Sequence, residues 1–249
     1  LHELALLNLH DHFATNIGAS RRPDQVGLRW PIKDHYLKLR HYAMGSLREF
    51  AHEMNYDAAM GWSLDNRLNR YYPASGSNPA AEGNFNFGRE VLERFTPGRD
   101  GLYPVTDQAP GQEVYRPNYT EGDVSSAALL LSGFDSWFPT YSRQPGFNNW
   151  NVNEQGIPYW GMGMGFIPGW GYSGGDVSIF SSLGSHPAHQ TMRVQADPQR
   201  PGHSQSADKL IDLLFKDHPG TAENLAYRSR GALRCASGIK LLWSSKRLP

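Results

Sequence analysis

Residues 33–54 read KDHYLKLRHYAMGSLREFAHEM. Tyr36, Leu39, Ala43, Leu47, Phe50 and Met54 recur at steps of three and four. That is the period of an α-helix with one apolar face. The spacing predicts a single helix over 33–54, the clearest in the chain. On the opposite side His41, Gly45, Arg48 and His52 fall at i, i+4, i+7 and i+11. Such a stripe either lines a polar cavity or faces solvent, and Gly45 would admit close approach of a ligand or backbone.

Other segments continue the pattern. Residues 1–15 read as the end of a helix stopped by 16–18, and 57–66 as a shorter helix. Residues 71–83 (YYPASGSNPAAEG) read as a loop, and 84–95 as a helix ended by Pro97 and Gly98. YTEGDVSSAALLLSGF, residues 119–134, carries a capping signature in Thr120 and Asp123 ahead of an apolar run. Helices resume at SADKLIDLLFKD (206–217), with Ser206 as the expected cap, and at 219–230. Between them, residues 135–205 are rich in Gly, Pro, Asn and aromatics, which predicts irregular structure with a few short strands. An irregular stretch of that length in a compact domain points to function. The fold expected is therefore an orthogonal helical domain with a long Gly/Pro/aromatic-rich insertion. It divides into a helical core at 1–134, the aromatic loop region of the same domain at 135–205, and C-terminal helices at 206–249.

Composition narrows the function classes. The 249 residues hold 24 Lys plus Arg against 24 Asp plus Glu, so the net charge gives no general affinity for nucleic acid. No stretch approaches the roughly 20 apolar residues of a transmembrane span. The lone Cys235 rules out an intramolecular disulfide and a cysteine-based zinc site. The chain opens at Leu1 inside a helix, so a processed or truncated product is expected.

Several polar groups qualify as site residues. His10 and His12 flank Asp11 in NLHDHFATN, residues 8–16. Two residues apart on a helix they point away from each other, and one then caps the helix C-terminus while the other faces solvent; on an extended segment they can share one ion with further ligands from elsewhere. In NFNFGREVLERF (84–95), Asn86, Glu90 and Glu93 lie opposite the apolar stripe of Phe87, Val91 and Phe95, with Arg89 beside them. Carboxylates one turn apart serve as metal ligands or as acid and base, or they sit in water beside arginine. Asp65 and Asn66 are oxygen donors suited to a hard metal or to a turn. Trp150, Trp160 and Trp170 stand among glycines and amides, as sugar-stacking platforms do and as core plugs do. No P-loop, GxSxG or HExxH occurs, and GMGMG at 161–165 lacks the spacing and context of a dinucleotide loop.

Taken in order, these segments resemble a bacterial family known only as domain-of-unknown-function family 1800. LHDHFAT (9–15) is similar to its Trp-His-Asn-His-Phe-Ala-Thr segment, with Leu9 and Asp11 as departures. RHYAMGSLREF (40–50) matches its Arg-x-His-Ala-x-Gly-Asn-Phe-Arg helix through His41, Ala43, Gly45 and Arg48, and YDAAMGWSLDNRLN (56–69) follows. NFNFGREVLERFTPG (84–98) is the most specific likeness, with Phe85 standing where the family has Glu. YTEGDV and HPGTAENLAYR (218–228) complete the series. The resemblance covers most of 4–134 and 208–228. It implies a mostly helical, exported protein, periplasmic or secreted, and no defined activity.

Because the polar residues fall in the family's motif segments, they are expected to share a site. His10, His12 and Asp65 would hold a divalent metal. Glu90 would act as base, Arg89 as an anion clamp, and His41 and Arg48 as further catalytic groups. Asn86, Trp150, Trp160 and Trp170 would bind substrate. The partner expected is an extracellular substrate such as a polysaccharide, and the alternative is a non-catalytic cell-surface or complex-associated protein with a protein partner.

Overall fold

A computed structural model describes residues 2–13, 15, 29–71, 83–104, 115–136, 151–152, 158–159, 164–183, 186–200 and 202–237. The fold is mainly α-helical. Helix α1 spans His2–His12, α2 Arg29–Tyr42, α3 Leu47–Asn55, α4 Ala58–Ser63, α5 Asn86–Glu90, α6 Glu121–Leu130, α7 Gln205–Lys216 and α8 Pro219–Ser237. Among the described residues eight short strands make four separate two-stranded antiparallel pairs: β1 (Asp100–Pro104) with β2 (Tyr115–Pro117), β3 (Phe134–Ser136) with β6 (Met164–Phe166), β4 (Asn151–Val152) with β5 (Pro158–Tyr159), and β7 (Asp176–Ile179) with β8 (Gln190–Arg193). The irregular stretch after residue 135 thus holds the short strands expected of it, whereas β1 and β2 carried no sequence signal.

The helix expected over 33–54 is two helices. Residues 43–46 form a turn, and the Ser46 hydroxyl accepts the Glu49 N–H at 3.3 Å to cap α3. Serine at that position competes for backbone donors and starts a new helix. His41 and Arg48 therefore do not share one stripe. The other caps follow the same chemistry. Asp57 accepts from Met60 N–H at 2.8 Å to start α4. Thr120 and Asp123 form a reciprocal capping box on α6, as expected. Ser204, not Ser206, caps α7; the Ser206 hydroxyl is buried and donates to Leu130 O at 3.3 Å. The helix expected over 84–95 tightens only to Glu90 and then widens into a π-helical turn at Val91–Phe95, closed by Thr96 Oγ1 donating to Val91 O.

One apolar core runs through the described elements. Phe13 lies at its centre, edge-on to Phe50 and stacked on Phe95, each at 4.7 Å. Three sequence-distant segments meet there: the end of α1, α3 and the π turn. Gly88 on α5 lets α6 approach closely, since a Cβ there would lie 2.8 Å from the Ala128 nitrogen. Among the described residues no helix is long and apolar enough to cross a membrane.

Beneath the core sits a buried ionic pin. Asp57, fully enclosed, faces His35 Nδ1 at 3.1 Å and accepts from Lys38 Nζ at 3.2 Å. His35 Nε2 donates to Phe13 O at 3.2 Å. Burial alone would raise the Asp57 carboxyl, but Lys38 and His35 outweigh it and hold the group well below the usual carboxylate range. The pin joins the end of α1, the middle of α2 and the start of α4.

Candidate functional site

Among the described residues a dense cluster of titratable groups lies between α3, α7 and the loop residues 197–200 and 202–204. Arg48 and His52 are one turn apart on α3, and Tyr56 follows one turn later. Asp208, Asp212 and Lys216 repeat the same step on α7. The pairs run in opposite order: Arg48 Nε donates to Asp212 Oδ1 at 2.8 Å, His52 reaches Asp212 and Asp208, and the Tyr56 hydroxyl donates to Asp208 Oδ1 at 2.9 Å. The two helices therefore run antiparallel here. Lys216 Nζ closes one end on Asp212 Oδ2 at 3.3 Å. At the other end Arg200, itself paired with Asp197, bonds Asp208 Oδ2.

The electrostatics follow from this packing. Burial works to raise the Asp208 carboxyl, yet His203, His52, Tyr56 and Arg200 together hold it well below its ordinary range. Asp212 is also lowered; burial opposes, while Arg48, His52 and Lys216 prevail. Tyr56 is pushed well up by burial and by Asp208, so its phenol stays a donor, and it also accepts the Ser204 N–H at 3.1 Å. His52 loses some basicity to burial, but its two carboxylate neighbours raise it overall. Its Nε2 lies 2.8 Å from Asp212 Oδ1 and its Nδ1 3.5 Å from Asp208 Oδ1. Both ring nitrogens are thus committed to α7, which makes His52 a bridge and leaves it no nitrogen to turn to a substrate. His203 differs. Its ring lies 4.2 Å from that of Tyr56, and Nδ1 is buried 3.8 Å from Asp208 Oδ2, an electrostatic contact too long for a hydrogen bond.

The loop bearing Arg200 and His203 continues directly from one wall of a groove of about 410 Å³. Phe166, Tyr172, Ser173, Arg193, Val194 and Gln195 line it together with glycine backbone. Gly133, at φ +86°, packs against Gly171 so closely that a Cβ would lie 2.6 Å from the Gly171 nitrogen, which fixes the base of this turn. The groove and the ionic cluster are stitched together by backbone. Phe166 N donates to Gly202 O at 2.7 Å, Gln205 N donates to Gln195 O at 3.0 Å, and Ala196 bridges Ser204.

The residues singled out from sequence are distributed as follows. Arg48 belongs to the cluster just described. Arg89 forms a two-pronged pair with Glu121 on α6, at 2.9 and 2.7 Å, on the surface. Glu90 is half-buried on α5, and Asn86 is exposed with its amide directed at Leu64 O at 3.4 Å. Asp65 is half-buried and adopts φ +57° ahead of a 3₁₀ turn at Asn66–Leu68. His10 is exposed on α1, whereas His12 is buried, edge-on to Phe13 at 4.7 Å and 6.2 Å from Phe95. His41 is exposed and lines a shallow depression of about 520 Å³ with His2, Glu3, Leu37 and Arg40. Trp170 is half-buried under the Arg70 guanidinium, 4.0 Å from its ring centre. Trp150 and Trp160 lie outside the described residues. Arg48 and Arg89 face different helices, so the two motif segments carrying them serve separate contacts. Among the described residues no three His, Cys, Asp or Glu side chains are grouped to hold a metal ion.

His52 stands on the polar stripe of the sequence but outside the expected site, and Asp208 and Asp212 are not among the expected site residues. Their signal was present: two carboxylates and a lysine at i, i+4 and i+8 on the polar side of an amphipathic helix. Arg200 and His203, in an irregular loop, had none.

A sequence model of the family described as "Protein of unknown function (DUF1800)" matches residues 1–228. No curated protein and no solved structure matches the chain.

Proposed function

The chain belongs to the DUF1800 family, and from that premise we propose that the domain works outside the cytoplasm, holding a hydroxyl-rich ligand of the glycan type in the groove between residues 166–175 and β8. The observation that supports this most is the groove's lining. Tyr172 and Phe166 offer apolar ring surface, while Ser173, Gln195 and glycine backbone offer hydrogen bonds beside it. Ligand sites commonly combine those two features. Arg193, the one charged group among the described lining residues, is neutralised by Asp176 at 2.8 Å, which favours an uncharged ligand over an anionic one.

The test is a calorimetric or NMR titration of the protein with soluble cello-, chito- and peptidoglycan-derived oligosaccharides. At least one should bind, and Tyr172→Ala should weaken it about tenfold, in the range of one lost ring contact. Equal affinity of Tyr172→Ala and the parent protein would remove the groove from consideration.

A second reading adds turnover. It is favoured by His203, whose Nδ1 faces Asp208 Oδ2 at 3.8 Å. Asp208 would orient the ring, and Nε2 would take a proton from water or a ligand hydroxyl. Reducing-end release from a bound oligosaccharide, lost in His203→Gln, is the outcome this reading requires. Elemental analysis of the purified protein tests its metal-dependent version.

A further inference from the structure

We propose that His52 is a pH-responsive bolt between α3 and α7, closed when the imidazole carries both protons and slack when it loses one, and that it sets how firmly the loop 197–204 is held. The consequence for the groove rests on the binding reading above; the bolt itself does not.

His52 projects from α3 onto two carboxylates one turn apart on α7, Asp212 at 2.8 Å and Asp208 at 3.5 Å. A carboxylate accepts and never donates while ionised. Each nitrogen therefore needs its own proton to make a favourable contact. Removing one leaves a lone pair facing an anion, so the loss combines an attraction removed with a repulsion gained.

The surrounding groups leave His52 as the element that changes. From α3 Arg48 shares Asp212 with it, and from the residue capping α3 Tyr56 shares Asp208. From α7 come Asp208, Asp212 and Lys216. From the loop come Arg200, backed by Asp197, and His203. The two arginines and the lysine keep their charge through neutrality. Asp208 and Asp212 are lowered and stay ionised, and the Tyr56 phenol is raised and stays protonated. Only the imidazoles remain to titrate near neutral pH, and His52 is the one gripped by two carboxylates.

The direction follows from linkage. His52 is raised above its ordinary value of 6.5. Its stabilising contribution is complete below that value and is lost as pH rises through the folded-state midpoint. The loop is fastened to Asp208 by Arg200, and to the groove through Gly202 and Gln205. Loosening the α3–α7 junction at alkaline pH thus loosens one wall of the groove.

The experiment follows the His52 ring by NMR across a pH series and measures amide exchange in 205–216 corrected for intrinsic rate. The His52 midpoint should exceed the ordinary imidazole value of 6.5. Protection of α7 amides should fall about tenfold for each pH unit of that excess. In His52→Gln, which keeps a donor without a titration, the fall should vanish. Asp212→Asn, as an independent variant, should bring the His52 midpoint down. A His52 midpoint at or below the ordinary value of 6.5, or an unchanged fall in His52→Gln, overturns the proposal, as does a fall abolished only by His203→Gln. Absence of oligosaccharide binding at every pH would defeat the groove reading and leave the bolt standing. Binding without any pH-dependent protection would do the reverse.

Discussion

Arg48 and Asp212 stand 164 residues apart in the chain, yet the Arg48 Nε lies 2.8 Å from Asp212 Oδ1. That contact closes α7 onto α3 after the whole intervening chain has been traversed. Asp212 is also the acceptor for His52 and Lys216, so one carboxylate organises three cationic side chains.

Replacing Asp212 with Ala should destabilise the domain modestly. Its side chain is 35 % exposed and that of Arg48 41 %, and exposed pairs contribute little in water. The expected loss is about 1 kcal/mol in urea denaturation at pH 6, shrinking as salt is added. A loss that does not respond to salt would mean the contact acts through packing instead.

Asp57 should behave differently. It is fully buried; its removal leaves the enclosed His35 Nδ1 without its carboxylate and takes from the enclosed Lys38 its buried carboxylate, leaving Asp34 at 3.0 Å. Asp57→Ala also deletes the α4 cap. Breaking such a pair from one side costs about 3–5 kcal/mol. Thermal unfolding of the variant should show a large drop in midpoint, and a shift of only a degree or two would show that solvent reaches the pin.

His218 predicts acid sensitivity in a defined window. Its Nε2 donates to Asn118 O at 2.9 Å and its Nδ1 accepts the Gly220 N–H at 3.1 Å, which locks the neutral ring at the start of α8. Burial, with His186 adding to it, pulls the group down from 6.5 to about 4. The unfolded chain therefore binds a proton that the folded chain refuses. Stability should decline as pH falls from 6.5 to about 4, by up to about 3 kcal/mol. The lowered carboxylates Asp57, Asp208 and Asp212 act later, below their ordinary value of 3.8. Denaturation midpoints at pH 7, 5.5 and 4.5 separate the two windows, and a flat profile between 7 and 4.5 would contradict the locked ring.

Gly88→Val tests the α5–α6 contact. The added Cβ would meet the Ala128 backbone nitrogen at 2.8 Å and its Cα at 3.1 Å. Backbone cannot swing aside as a side chain can, so overpacking of about 2 kcal/mol is expected despite valine's better helix propensity. A neutral or stabilising result in chemical denaturation would indicate that the helices slide apart freely.

The helical character of the chain was legible locally. Periodic apolar residues gave α2, α3, α7 and α8, and the Thr120–Asp123 box announced α6. The ordered motifs were enough to indicate the family that the match over residues 1–228 establishes. Boundaries were less legible. The break at 43–46 lay inside a continuous apolar period, and only the Ser46 cap and the turn at Gly45 distinguish two helices from one. The cap of α7 was misplaced by two residues, because Ser204 and Ser206 offer the same hydroxyl and only burial of Ser206 against Leu130 O decides between them.

The sequence by itself therefore determined which residues turn inward on each helix, where hydroxyls and carboxylates can cap, and which family the chain resembles. All of these depend on neighbours within about one or two turns. Only the tertiary structure decided which polar faces meet. Periodicity states the direction of a side chain about its own axis and carries nothing about the helix packed against it. So Asp208 and Asp212 on α7 gather Arg48 and His52 from α3 and Tyr56 from its C-terminal cap, while Arg89, from an equally suggestive motif, turns to Glu121.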